Sequence, residues 1–182
     1  MGRKRVIDQE QILDAAEQVV ARDGAARLTL EAVAEQAGIS KASVLYDFKS
    51  KQALIAAVVA RAVRKDNAFN DSVTEDLGDV SSPVIRGRIA AAAQPLPEEF
   101  RATALNLCAA LAQDRELRAT VQNNQTAVVK KMLDTAEYPR GAMLAYLALE
   151  GLKLLEAMDL YHLPAKQRKQ VLADISALVE PE

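Results

Sequence analysis

The chain has 182 residues, half of them apolar and 4% aromatic, with no tryptophan and a formal net charge of −2. One cysteine, Cys108, and one histidine, His162, exclude an intrachain disulfide, a multi-cysteine zinc site and any catalytic or metal cluster built on several imidazoles. No apolar run reaches the roughly 18 residues that a membrane span needs. The charged, polar start through Gln11 is unlike a secretory signal, so a cytoplasmic protein is expected.

The net charge hides an asymmetry. Residues 1–65 hold eleven Lys/Arg against eight Asp/Glu, and residues 66–182 hold twelve against seventeen. A basic head on an acidic body suits contact with a polyanion at one end, and ordinary surface variation explains it about equally well.

Alanine and leucine carry the apolar content, and both favour helix over strand. A first helix is predicted from Asp8, whose carboxylate can cap free N–H groups with Gln11 in the capping-box position. Ile12, Ala16, Val19 and Val20 recur at helical spacing, and Gly24 stands where a left-handed stop belongs. Thr29 can cap a short second helix with Val33, Ala34 and Ala37 inward, ended by Gly38. Ser40 caps a brief third helix from Lys41 to about Tyr46. After a turn at Phe48-Lys49-Ser50-Lys51, Ser50 caps a longer helix containing Leu54, Ala57, Val58 and Val63.

Asp66–Pro83 is rich in turn formers and is expected to be looser, with a head–body boundary near residues 64–70, the alternative being a helix that runs through it. Pro95 and Pro97 interrupt the next stretch. Helices are then predicted over Glu98–Gln113, Glu116–Ala136, Arg140–Tyr161 and Ala165–Val179, with Pro139 and Pro164 just before the last two. The expected organisation is all-α: a three-helix head over residues 1–65 and a body of roughly six helices over 66–182.

Met143, Leu147, Leu154 and Met158 line one face of the Arg140–Tyr161 helix, and Leu144, Leu152 and Leu155 another. A helix apolar on two sides needs two partners, which in a small chain points to a second subunit. Gly151 would permit close approach there. Val171, Leu172, Ile175 and Leu178 offer a similar stripe on the final helix. Candidate interface residues are therefore Leu144, Gly151, Leu152, Leu155, Val171, Leu172, Ile175 and Leu178; a central helix in a monomer is the competing explanation.

A short helix, a glycine turn and a second short helix form a helix-turn-helix, a shape that seats its second member in a major groove about 12 Å wide. Lys41 and Ser43 are expected to read base edges, and Tyr46, Lys49 and Lys51 to hold phosphate. The Ser50 cap beside a lysine makes an anion site. Arg3-Lys4-Arg5 could serve as a basic arm. Each lysine could equally be a solvated surface charge.

The stretch Leu28-Thr29-Leu30-Glu31-Ala32-Val33-Ala34-Glu35-Gln36-Ala37-Gly38-Ile39-Ser40-Lys41-Ala42-Ser43, continuing to Phe48, Ser50, Lys51 and Leu54, resembles the tetracycline-repressor (TetR) family of transcriptional regulators. The shared features are the threonine opening the second helix, the aliphatic-Ala pair, the Ala-Gly-aliphatic-Ser turn and the aromatic-x-x-Lys-x-x-Leu exit. They cover about residues 8–60.

With the basic arm Arg3, Lys4 and Arg5, the expected DNA contacts are Thr29, Ser40, Lys41, Ala42, Ser43, Tyr46, Lys49 and Lys51, and the resemblance supports those within the matched stretch. It also implies a homodimer on a near-palindromic operator, and a small-molecule effector that releases DNA. Phe100, Leu105, Cys108, Leu111, Met143, Tyr146 and Leu147 are the candidate pocket residues, with ordinary core as the alternative for each.

Two residues depart from the pattern. Leu45 stands where the family usually has a phosphate-holding tyrosine, and Asp47 where it often has histidine or another neutral polar residue. No cofactor or metal is implied. Glu98 and Glu99 are adjacent, so on a helix they diverge, and no phosphate-loop or dinucleotide motif appears, which disfavours an enzyme. An activator with the same head, or a helical interaction protein whose head has lost DNA binding, remain open alternatives.

Overall fold

The computed structural model describes residues 8–94, 111–112 and 114–180, and within these it is built of helices alone. The helices bounded within the described residues are α1 (Gln9–Asp23), α2 (Leu30–Ala37), α3 (Lys41–Asp47), α4 (Lys51–Asp76), α5 (Pro83–Ala93), α6 (Arg115–Thr135), α7 (Pro139–Ala157) and α8 (Ala165–Ala177). A single 3₁₀ turn, Ala25–Arg27, links α1 to Leu28. No helix among the described residues is long and apolar enough to cross a membrane.

The predicted helix Glu98–Gln113, with Pro95 and Pro97 before it, lies almost wholly outside the described residues; only Leu111 and Ala112 fall within them, and both are helical. The described residues form two compact units. One holds residues 8–62 with 111–112 and 114–120; the other holds residues 63–94 with 121–180.

In the first unit α1 begins as expected, with the Asp8 carboxylate accepting from the Glu10 N–H. Its Ile12, Leu13, Ala16, Val19 and Val20 are buried, a 3.6-residue stripe that packs on α2, which in turn packs on α3. Gly24 differs from its expected left-handed helical stop. Its φ is 85° and its ψ 155°, an extended geometry that only glycine adopts freely, and it directs the chain into the 3₁₀ turn.

The segment expected to be loose is helical as far as Asp76. Its turn-forming side chains find partners that keep the helix intact. Asn70 Nδ2 donates to the Asp66 carbonyl, Thr74 Oγ1 to the Asn70 carbonyl, and Asn67 Nδ2 to Asn124 Oδ1 on α6. Val73 and Asn70 are buried, so tertiary packing overrides local turn preference here. Near residue 65 the chain is helical, within α4.

The core of the second unit joins Ile85 and Ile89 of α5, Met132 of α6, Ala142, Ala145, Tyr146, Leu149 and Leu152 of α7, and Leu172 and Ile175 of α8, with Val179 just beyond. Arg88 of α5 is buried, with its Nη2 3.4 Å from Glu150 and 3.7 Å from Asp66. On α7 the last turns differ from expectation. The helix ends at Ala157, and Asp159 takes a left-handed φ of 53°, its carboxylate 2.6 Å from His162 Nε2, which is exposed.

Candidate nucleic-acid interface

Three hydroxyl caps set the geometry of α2, α3 and α4. Thr29 Oγ1 accepts from the Ala32 N–H at 3.0 Å, Ser40 Oγ from the Ser43 N–H at 3.1 Å, and Ser50 Oγ from the Ala53 N–H at 3.0 Å. Between α2 and α3, Gly38 sits at φ 67°, ψ 32°, the left-handed conformation of a helix C-terminus. The Ile39 N–H closes the turn onto the Ala34 carbonyl at 2.9 Å. Only Ile39 and Ser40 then separate the turn from α3.

Val44 anchors α3 from below and is fully buried, while Phe48 locks the exit. With Val44 inward, Lys41, Ala42, Leu45 and Tyr46 face outward; Tyr46 is 70% exposed. Thr29 and Ser40 are also exposed, their hydroxyls serving as caps. Ser43 is half-buried, with its Oγ 2.9 Å from Ser40 Oγ. Lys51 is half-buried at the start of α4.

Two cations are held in place. Lys49 Nζ donates to the Tyr46 carbonyl at 2.5 Å and sits 5.0 Å from the Tyr46 ring centroid, a cation–π contact that stiffens the turn. Lys41 Nζ lies 2.5 Å from Glu31 Oε1, bridging the first turns of α2 and α3. The hydrogen bond from Lys41, aided by one to its own backbone, holds the Glu31 carboxyl below the usual glutamate range. Asp47, the residue that departs from the family pattern, accepts from Gln9 Nε2 at 3.4 Å on α1.

The sequence did not point to Glu31 or to Arg61. Arg61 on α4 is buried and reaches α1: its guanidinium bonds the Glu10 carbonyl at 3.0 Å and pairs with the carboxylates of Glu10, Asp14 and Glu17. Burial alone would lower its pKa, but the hydrogen bond to Asp14 and the charges of Glu17, Asp14 and Glu10 outweigh it and raise it. Arg3, Lys4 and Arg5 lie outside the described residues.

The other expected sites are only partly assembled. Phe100, Leu105 and Cys108 lie outside the described residues, and Leu111 is half-buried in the first unit. In the second unit a wide-open depression of about 580 Å³ lies along α6, lined by Gln125, Val129, Lys130, Leu133 and Asp134, with Tyr146 of α7 on its wall. Tyr146 is the one expected pocket residue on its wall; its hydroxyl donates to Gln125 Oε1 at 2.7 Å. Burial, and then the charge of Glu150, push the Tyr146 phenol above its ordinary range. Met143 packs against the core instead, and Leu147 is exposed.

Of the expected interface residues, Leu144, Leu155 and Leu178 are exposed and Gly151 opens onto empty space. Leu152, Leu172 and Ile175 are buried in the protomer's own core, and Val171 packs against it. Leu152, Leu172 and Ile175 are thus taken up within the protomer, where α5, α7 and α8 pack on one another, while Val171 is half-buried. The outward stripe of α7 is Leu144, Leu147, Leu154, Leu155 and Met158.

Two family models match the chain. One, described as bacterial regulatory proteins of the tetR family, covers residues 12–58; the other, a tetracyclin repressor-like C-terminal domain, covers residues 82–180. No curated protein matches. Among solved structures, the chain is similar to a TetR-family transcriptional regulator from Rhodococcus sp., at 21% identity and TM-score 0.75, with 94% of this chain and 98% of that one covered.

It is similar also to a transcriptional regulator from Streptomyces coelicolor A3(2), at 18% identity and TM-score 0.77, with 95% and 98% covered. A third likeness is to the multidrug binding protein EbrR, solved in complex with malachite green, at 20% identity and TM-score 0.70, with 98% and 100% covered. With its helix-turn-helix matched by one model and more than half its length by the other, the chain belongs to the TetR family of bacterial transcriptional regulators.

Proposed function

We propose that this chain is a repressor that binds a near-palindromic DNA operator as a homodimer and is released by a small-molecule effector. The observation that carries the reading is the pose of α3. Val44 and Phe48 fix it from within while Lys41, Leu45 and Tyr46 project outward, which is what entry into a major groove demands. Residues 1–65 act as the DNA-binding part and residues 66–182 as the effector and dimerisation part. Base contact falls to Lys41, with Ser43 behind it. Phosphate contact falls to Lys49, Lys51, Tyr46, the capped N-terminus of α4 and the Arg3–Arg5 arm.

The outward stripe of α7, with Leu178 after α8, serves as the dimer face; an exposed apolar stripe of this kind marks a partner surface. The depression at Tyr146 is the effector site, and the dye complex of EbrR supports a small organic ligand. The fold supports regulation rather than catalysis, and a protein that acts on the chromosome works in the cytoplasm.

Fluorescence anisotropy with full-length protein and random duplexes at low salt tests the reading. Nanomolar to micromolar binding that weakens steeply with salt is expected. Lys51→Ala should reduce the slope of log affinity against log salt by about one per half-site, about two for the dimer. Absence of binding to any duplex at low ionic strength overturns the proposal. A promoter–reporter assay separates repression from activation.

A further inference from the structure

We propose that Glu31 and Lys41 together read one G·C base pair in each operator half-site, Lys41 donating to guanine and Glu31 accepting from the cytosine amino group. The inference rests on the reading that α3 enters the major groove. Lys41 opens α3, and the N-terminal residues of a recognition helix are those that meet base edges. Glu31 belongs to α2 but reaches the same spot, its carboxylate oxygen 2.5 Å from the ammonium. Both side chains are more than half exposed, 55% for Lys41 and 61% for Glu31, so the pair faces whatever α3 faces.

A lone carboxylate at that place would repel the phosphates. Paired with Lys41 and bonded by its own backbone N–H, it is neutralised, and a carboxylate with about four lone-pair sites still keeps acceptor capacity. The ammonium gives one proton to Glu31 and keeps two more to donate. A G·C pair offers this arrangement its complement in the major groove: two adjacent acceptors, guanine N7 and O6, beside the N4–H donor of cytosine. An A·T pair separates its two acceptors with the adenine amino group and adds the thymine methyl, so the two free lysine protons find no adjacent acceptors.

The pair also explains a charge economy at the interface. A neutralised lysine releases little of the counterion atmosphere, so it adds discrimination with little non-specific affinity.

The test takes the half-site that full-length protein selects from random duplexes. Each G·C pair of it is changed in turn to A·T and to C·G, and binding of the wild type, Glu31→Gln, Glu31→Ala and Lys41→Ala is measured by anisotropy over a salt series. The wild type should lose about tenfold or more at one G·C position. Glu31→Ala and Lys41→Ala should lose that preference alone and keep the others, while Glu31→Gln, whose amide oxygen still accepts from the cytosine amino group, should keep part of it. Glu31→Ala and Glu31→Gln should also steepen the salt slope by about one per half-site, because Lys41 is then unneutralised.

A merely structural ion pair would leave the base preference unmoved, whatever happened to the salt slope. Glu31→Gln, which keeps size and hydrogen bonding, guards against misfolding of the alanine variant. Variants with the wild-type preference at every position overturn the inference while leaving the interface standing. A wild type that binds no duplex overturns both.

Discussion

Lys41 and Glu31 are ten residues apart in sequence and touch only because the Gly38 turn folds α3 back along α2. That separation is why the pair is not legible as a pattern: no helical spacing joins the two residues, whereas the caps at Thr29, Ser40 and Ser50 announce themselves by residue type and position. The ion pair has a pH signature. Glu31 titrates below 4.5, the ordinary glutamate value. A depressed acid contributes its link above the unfolded pKa and loses it as pH falls through the folded one. Carboxyl NMR should place Glu31 below 4.5, and Lys41→Ala should return it to the ordinary range.

Gly38 is a second residue-scale test. Nothing crowds its missing Cβ, so the cost of Gly38→Val is backbone strain at φ 67°. About 1–2 kcal/mol or more is expected for a branched residue there, read as a lowered urea midpoint. Arg61→Met should cost about 2 kcal/mol, since the Glu10 carbonyl loses its donor and Glu17 its charge partner, while the exposed Asp14 is recovered by water.

At the scale of elements, the short helices of the head were legible because each carries its own start and stop signals. The extent of α4 was not. Asn67, Asn70, Asp71 and Ser72 read as turn formers, yet Asn70 and Thr74 bond back to carbonyls four residues earlier and Val73 is buried. The partner for Asn67 lies on α6, fifty-seven residues away, beyond any local pattern. The two faces of α7 were likewise visible as apolar, but which one the protomer keeps for itself depends on α5 and α8 closing over Leu149 and Leu152.

That closure sets a tight contact. A Cβ on Gly141 would collide with the Leu178 carbonyl oxygen and the Tyr138 ring. Gly141→Ala should therefore push the start of α7 away from the end of α8. About 1–3 kcal/mol is expected for such overpacking, visible as a melting temperature several degrees lower.

For the whole molecule, the proposed dimer makes the sharpest prediction. Leu147 is 59% exposed and Leu154 51% exposed, on a stripe that continues through Met158. Leu147→Glu with Leu154→Glu places like charges across a two-fold face, where each meets its own copy or a near neighbour. Sedimentation analysis should show dimer for the wild type and monomer for the double variant. Operator affinity should fall by at least about 100-fold, while circular dichroism of the exposed-site variant stays helical.

If the stripe on α7 joins two copies as proposed, it has a consequence for control of expression. A regulator assembled from two copies through an oily seam fills its target in proportion to the square of its abundance until pairing saturates. A halving of expression would then cut promoter occupancy fourfold in the dilute regime. Gene output would respond as a threshold even before any effector arrives.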